Sequence, residues 1–310
     1  MSDYHTPVLL EESVSAIVVD PSGIYADATF GGGGHSAAIL SRLSGDGRLI
    51  AFDRDADALG NKPDDSRFTL IHNNFRFIHN FLLYEGYGSG IDGILADLGV
   101  SSHQFDTPER GFSFRYDANL DMRMNTEGAT TAADIINSRS EKELERIFRL
   151  YGEVENSGKT ARLICTARES SPIMTTGDLE KAIDQALPQF ARHKALAKVY
   201  QALRIEVNQE MRALEKFLSG AAASLRPGGR LAVITYHSLE DRMVKNFIRT
   251  GNVDGKEEKD FFGRTKAPMK AINKKPVLPS EEEISRNTRA RSAKLRTAEK
   301  LPAGNREERQ

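Results

Sequence analysis

Four consecutive glycines, Gly31 to Gly34, constrain this chain more than any other stretch. They follow a short apolar run that carries an acid, Ile24-Tyr-Ala-Asp27-Ala28, and precede a helix-like segment, Ser36 to Leu43. Strand, tight turn and helix in that order open a βαβ unit. Glycine allows positive φ in the turn and, lacking a Cβ, lets backbone press against a ligand. The helix that follows aims its free N–H groups into the crevice. About twenty residues on, a second apolar run, Arg48-Leu-Ile-Ala-Phe-Asp53, ends in an acid placed as a ribose-binding carboxylate would be.

Two cofactor classes share this layout. Gly32-x-Gly34-x-x-Ala37 satisfies the loose dinucleotide fingerprint, which makes an NAD-dependent oxidoreductase one reading. Asp27, four residues before Gly31, gives Asp-x-x-x-Gly-x-Gly instead, the pattern of S-adenosylmethionine (AdoMet) methyltransferases. A nucleotide without pyrophosphate but with a charged amino-acid tail suits an acid just before the turn. Either motif alone is weak.

A net charge of −1 hides an asymmetry: from Arg242 on there are 18 Lys and Arg against 10 Asp and Glu. That suits either a nucleic-acid surface or a solvated tail. No apolar run approaches the length of a membrane span, and the N-terminus lacks the regions of a signal peptide. One cysteine, Cys165, excludes an internal disulfide and a cysteine-ligated metal, which fits a reducing cytoplasm. At 310 residues there is room for one large domain or two ordinary ones.

Along the chain, an amphipathic helix is expected over Glu11–Val19, with His5 before it reading as either a site residue or a surface turn. A helix should follow Asp53. A third strand spans Arg67–His72 and is followed by Phe75, placed either to cover a base or to join the core. The fourth runs from Ile91 to Asp97 and into Ser101 and Ser102. In open α/β sheets ligands bind beyond the carboxyl ends of the strands, so Asp27, Asp53, Asp97 and the 101–104 loop should share one crevice. The alternation then stops and helices take over. They include one capped by Ser140 and Glu143, one capped by Thr176, and a long one from Lys194 to Leu225. This reads as an all-helical insertion over 105–205, dividing a sheet domain into 1–104 and 206–310. The sheet resumes at Arg230–Thr235 and runs into Tyr236-His237-Ser238, with Ser238 as the expected N-cap of the next helix. His237 reads as a general base or as a histidine hydrogen-bonded within that turn. With Glu240 alone beside it, no metal site is expected. A final strand is expected near 293–298, and the last ten residues should be disordered.

Six segments stand in order: Asp27-Ala-Thr-Phe-Gly-Gly-Gly-Gly-His35, Asp97-Leu-Gly-Val-Ser-Ser102, Arg110-Gly-Phe-Ser-Phe114, Leu120-Asp-Met-Arg-Met124, His237-Ser-Leu-Glu-Asp-Arg242 and Asn287-Thr-Arg-Ala-Arg-Ser292. Together they resemble the small-subunit rRNA (cytosine-N4)-methyltransferase family over nearly the whole chain. The resemblance implies a class I AdoMet-dependent methyltransferase, a Rossmann-like doubly wound α/β sheet with an all-helical insert. It implies methylation of the exocyclic N4 of a decoding-centre cytosine in bacterial 16S rRNA, with the small ribosomal subunit as partner. A non-catalytic rRNA-binding assembly factor is the remaining alternative, and monomer and homodimer stay equally open. By position, the AdoMet contacts fall on Gly33, Gly34, His35, Asp53, Phe75, Asp97 and Gln104, beside Asp27 from the glycine motif. His103 stands where relatives often carry proline. For the chemistry, Asp97 with Ser101 and Ser102 is expected to frame the amine. Tyr236, His237 and Ser238 are expected to line the base pocket.

Overall fold

A computed structural model describes residues 7–259, 261, 263 and 266–302. His5 and the tail from 303 lie outside the described residues. The chain forms two compact units, one built from the described residues up to Gly99 and from Arg212 on, the other from Val100–Met211.

The first unit is a seven-stranded sheet: β1 Ile24–Asp27, β2 Arg48–Asp53, β3 Phe68–His72, β4 Ile91–Asp97, β5 Leu225–Thr235, β6 Met269–Ala271 and β7 Lys294–Lys300. Its order is β3-β2-β1-β4-β5-β7-β6. Neighbours from β3 to β5 are parallel, and β7 runs antiparallel to both β5 and β6. The central strands are apolar on both faces because helices cover both; β4 is buried from Ile91 to Ala96. Tyr25, Ile39, Leu49, Leu95 and Ile234 meet in one core cluster. The chain leaves β1 toward β2 on one side, and β4 lies on the other. Their carboxyl ends therefore flank the topological switch point, where α/β sheets bind ligands.

Local chemistry altered several expected elements. After Asp53 the chain makes a 3₁₀ helix, Ala56–Asn61, instead of an α-helix; Asp55 caps it, and Pro63 follows just past its end. β5 begins at Leu225, earlier than expected. Its register shifts between the Ile91 and Gly93 pairings, so that Arg226–Gly229 bulge out with Gly228 at φ 81°. The helix Ser238–Thr250 is capped by His237 and not by Ser238: the His237 side chain accepts from the Glu240 N–H, and Glu240 reaches back.

The second unit is helical: Ser102–Asp106, Ala132–Ser138, Glu141–Gly152, Ser157–Ser170, Thr176–Ile183 and Arg192–Asn208, with the first two residues of Glu210–Ser224. Ile136, Leu144, Phe148, Ile164, Leu179 and Leu203 lie in its own core. The unit is wider than the expected 105–205, because Val100 packs on that core and Arg204 clasps Glu210 through two 2.9 Å bonds. The expected long helix is two helices, broken at Gln209 with φ 50°. Asn208 causes the break: its side chain donates to the Met122 carbonyl and accepts from the Met124 N–H. Thr175, one residue before the expected Thr176, caps Thr176–Ile183. No helix among the described residues is long and apolar enough to cross a membrane.

Candidate active site

The glycine turn joins β1 to the helix Gly34–Arg42. Gly33, at φ 78°, takes the N-cap position, and no side chain caps that helix. Its N-terminus is left for a ligand. The glycines have different tasks. A Cβ on Gly31, at φ 51°, would meet nothing within 4 Å, so this residue borders open space. A Cβ on Gly34 would stand 2.2 Å from Pro7 Cγ, so Gly34 is needed by a neighbouring segment of the chain. The Gly31 N–H donates to Asp53 Oδ2 at 2.7 Å, and Asp53 Oδ1 accepts from the Asp55 N–H at 2.8 Å. Burial pushes the Asp53 carboxyl up, against the pull of these backbone bonds.

The other two strand-end acids differ. Asp27 has no exposed surface. Its Oδ2 accepts from the Ser36 hydroxyl at 2.7 Å and its Oδ1 from the Thr29 N–H at 3.0 Å. It ties the helix start to the strand end from behind, and burial raises its carboxyl. Asp97 keeps 22% of its side chain exposed. Tyr236 donates its hydroxyl to Asp97 Oδ1 at 2.8 Å, and the Asp97 N–H donates to Thr29 Oγ1 at 2.6 Å. Asp97 Oδ2 lies 3.8 Å from His35 Nδ1. Burial pushes the Asp97 carboxyl up to about 6; His35 and the Tyr236 bond oppose the shift, while Asp27 and Glu240 add to it. The Tyr236 phenol is raised well above its ordinary value, by burial first and then by Asp97.

His35 is buried, and its Nε2 donates to the Val8 carbonyl at 3.1 Å. Phe75 opens a 3₁₀ turn just past β3 and packs edge-on to Phe217, with centroids 5.2 Å apart. His237 resolves to the turn-bound reading. Its Nδ1 accepts from the Glu240 N–H at 3.4 Å, and its Nε2 lies 3.1 Å from Glu240 Oε1. Ser238 is exposed at the first turn of that helix.

The structure thus places Gly33, Gly34, His35, Asp53, Phe75 and Asp97 at the carboxyl ends of the sheet, with Asp27 beneath them. Ser101, Ser102 and Gln104 belong to the helical unit. There Ser101 accepts from the Gln104 N–H and Gln104 Oε1 from the Ser101 N–H, each at 3.2 Å, closing a capping box. Sequence reasoning missed Gly31 as the open glycine and Pro7 as the reason for Gly34; only Gly31's place at the head of the glycine run hinted at the first.

Open space at Gly31, an uncapped helix N-terminus and the reachable carboxylates Asp53 and Asp97 fit a nucleoside carrying a zwitterionic, cationic tail. With the antiparallel seventh strand, they define a class I AdoMet-dependent methyltransferase. Comparison with known proteins agrees. The chain belongs to the MraW methylase family, whose model matches residues 2–301. It is 57% identical over 297 residues to the ribosomal RNA small subunit methyltransferase H of Bacteroides fragilis (strain YCH46), covering 96% of this chain and 97% of that one. It is 54% identical to the protein of the same name from Parabacteroides distasonis, covering 97% and 98%. The protein of that name from Flavobacterium johnsoniae is 54% identical, covering 96% and 98%.

Proposed function

We propose that this methyltransferase transfers a methyl group from AdoMet to the exocyclic N4 of a decoding-centre cytosine in bacterial 16S rRNA, within the small ribosomal subunit. The names of the relatives support an rRNA substrate. The observation that carries the chemistry is Asp97: a reachable carboxylate at the end of β4, with one oxygen held by Tyr236 and the other free of that bond.

When bound, AdoMet supplies an electrophilic methyl group on a sulfonium sulfur. The residues proposed to hold it are the Gly33-Gly34-His35 turn, Asp53 for the ribose hydroxyls and Phe75 for the base, with Asp97 completing the set. Asp27 acts from behind, by fixing Ser36 and the helix start. The target amine is a poor nucleophile because its lone pair is delocalised into the ring. Asp97, ionised, accepts a hydrogen bond from N4–H, so that the lone pair localises as attack begins; as the N–C bond forms, that proton passes to the Asp97 carboxylate and a neutral secondary amine remains. His237, whose Nδ1 accepts from the Glu240 N–H, positions the turn after β5 instead of taking that proton. Ser238 is proposed as a contact to the nucleotide. A cytosine reaches such a site only when unstacked or flipped. The helical unit and the basic C-terminal region hold the folded RNA.

Mapping methylated cytosines in rRNA from a deletion strain, with and without the gene restored, tests the reading. One N4-methylcytosine that disappears and returns with the gene supports it. Loss of a different modification overturns the N4 assignment, and no tritium transfer from labelled AdoMet to subunits would leave an assembly factor.

A further inference from the structure

Six helices among the described residues begin with a residue whose side chain accepts from the N–H three positions on, where that third position carries a carboxylate or amide. In five of them that third side chain reaches back to close a capping box: Ser101 with Gln104, Thr131 with Asp134, Ser140 with Glu143, Thr175 with Asp178 and His237 with Glu240. The helix Glu281–Arg286 is different. Ser280 accepts from the Glu283 N–H at 3.1 Å, but the Glu283 carboxylate turns away from its own cap. Glu283 Oε1 accepts instead from the Leu9 N–H at 2.8 Å, across 274 residues of chain.

Leu9 is where an outside hold is needed. It is fully buried and left-handed, at φ 49° and ψ 41°, a conformation that a branched side chain keeps only when its surroundings impose it. The bend lays Pro7 against Gly34, in the space a Cβ would fill. It also aims the Val8 carbonyl at His35 Nε2, 3.1 Å away. A carbonyl only accepts, so Nε2 carries a proton, and Nδ1 is the acceptor of whatever neutral ring forms. Nδ1 is the atom 3.8 Å from Asp97 Oδ2.

We propose that Glu283 is a positioning residue for the cofactor turn: by holding the Pro7–Leu9 segment it fixes the tautomer and orientation of His35. Glu283 does not itself touch the cofactor. The proposal rests on the reading of the glycine turn as the AdoMet site.

The test compares Glu283→Ala with Glu283→Gln, whose amide oxygen still accepts the Leu9 N–H, and with Glu283→Leu, which keeps the bulk without the acceptor. Full-length protein labelled with ¹⁵N-histidine reports the His35 ring by two-bond ¹H–¹⁵N correlation, with His35→Gln giving the assignment. Wild type and Glu283→Gln should show the Nε2–H tautomer. Glu283→Ala and Glu283→Leu should show averaged nitrogen shifts, and about a tenfold weaker Kd for S-adenosylhomocysteine by calorimetry. Ser280→Ala, which loses only the cap, should leave both readouts at wild type. Unchanged His35 signals and Kd in a folded Glu283→Ala protein would overturn the proposal; if that variant does not fold, Glu283→Leu decides in the same way. If wild type binds no S-adenosylhomocysteine, the cofactor reading falls, while the His35 spectra still judge the clamp.

Discussion

β4 carries one acid near each end, and they have opposite characters. Asp92, at the amino end, is surrounded by donors: its Oδ2 accepts from the Ile24 N–H at 2.8 Å, and the Arg226 guanidinium closes on Oδ1. Asp97, five residues on, receives one side-chain hydroxyl, and its carboxyl is pushed up to about 6. Both sit in the same sheet on the same strand. The difference lies in what the surrounding loops bring: a backbone N–H and a cation at one end, a phenol and a distant imidazole at the other. A satisfied buried carboxylate is a structural joint, whereas an under-satisfied and still reachable one is available for chemistry.

The sharpest way to break this contrast is turnover. Asp97→Ala should lower kcat by about 10²–10³-fold, the usual scale for losing one group that stabilises a developing charge. Asp92→Ala should leave kcat within about threefold. Tritium transfer to small subunits at saturating AdoMet measures both. Equal losses would mean that the two ends are not different in kind, and Asp97→Asn with wild-type cofactor binding and turnover would remove Asp97 from the chemistry.

Stability should move in opposite directions. Asp92→Ala strands the Ile24 N–H and a half-exposed guanidinium and should cost about 2 kcal/mol in urea unfolding. For Asp97 the sign follows from linkage. A folded-state carboxyl raised to about 6 binds its proton more tightly than the unfolded chain does. The stabilisation this supplies is complete below the ordinary value near 4 and is lost as pH rises through about 6. At neutral pH the ionised carboxylate is therefore a cost. Asp97→Asn should gain roughly 1 kcal/mol at pH 7.5, allowing for solvent screening, and much less at pH 4.

A smaller effect sharpens the contrast through Tyr236. Wild-type turnover should fall as pH drops through about 6, where Asp97 takes its proton. The phenol bond favours the ionised form, so Tyr236→Phe should move that acid limb upward by roughly half a unit to one unit. No shift of the limb would disconnect it from Asp97. The smallest change lies away from β4. Charge reversal at the exposed Arg291 should weaken RNA binding by a few-fold and lower the salt slope by about one. S-adenosylhomocysteine affinity should hold.

Much of this architecture is legible in the sequence alone. The strand–glycine–helix opening, the acids ending three strands and the resumed strand after Pro227-Gly228-Gly229 are local patterns. Their information sits within a few residues, at the periods of strand and helix. What was misjudged depended on distant partners. Gln209 breaks a helix whose apolar spacing runs on, because Asn208 is claimed by Met122 and Met124. His237 and not Ser238 caps its helix, because an imidazole nitrogen can accept as well as a hydroxyl oxygen. Val100 joined the helical unit because it packs on that unit's core.

The sequence by itself determined the elements, the turn and the membership of a family, because each is written in neighbouring residues or in their order. Only the tertiary structure decided which acid is saturated and which is left wanting, and which glycine faces open space and which faces Pro7. It alone set a glutamate 274 positions away against the backbone of Leu9. A hydrogen bond or a filled volume is a property of two places at once, and a linear pattern specifies only one of them.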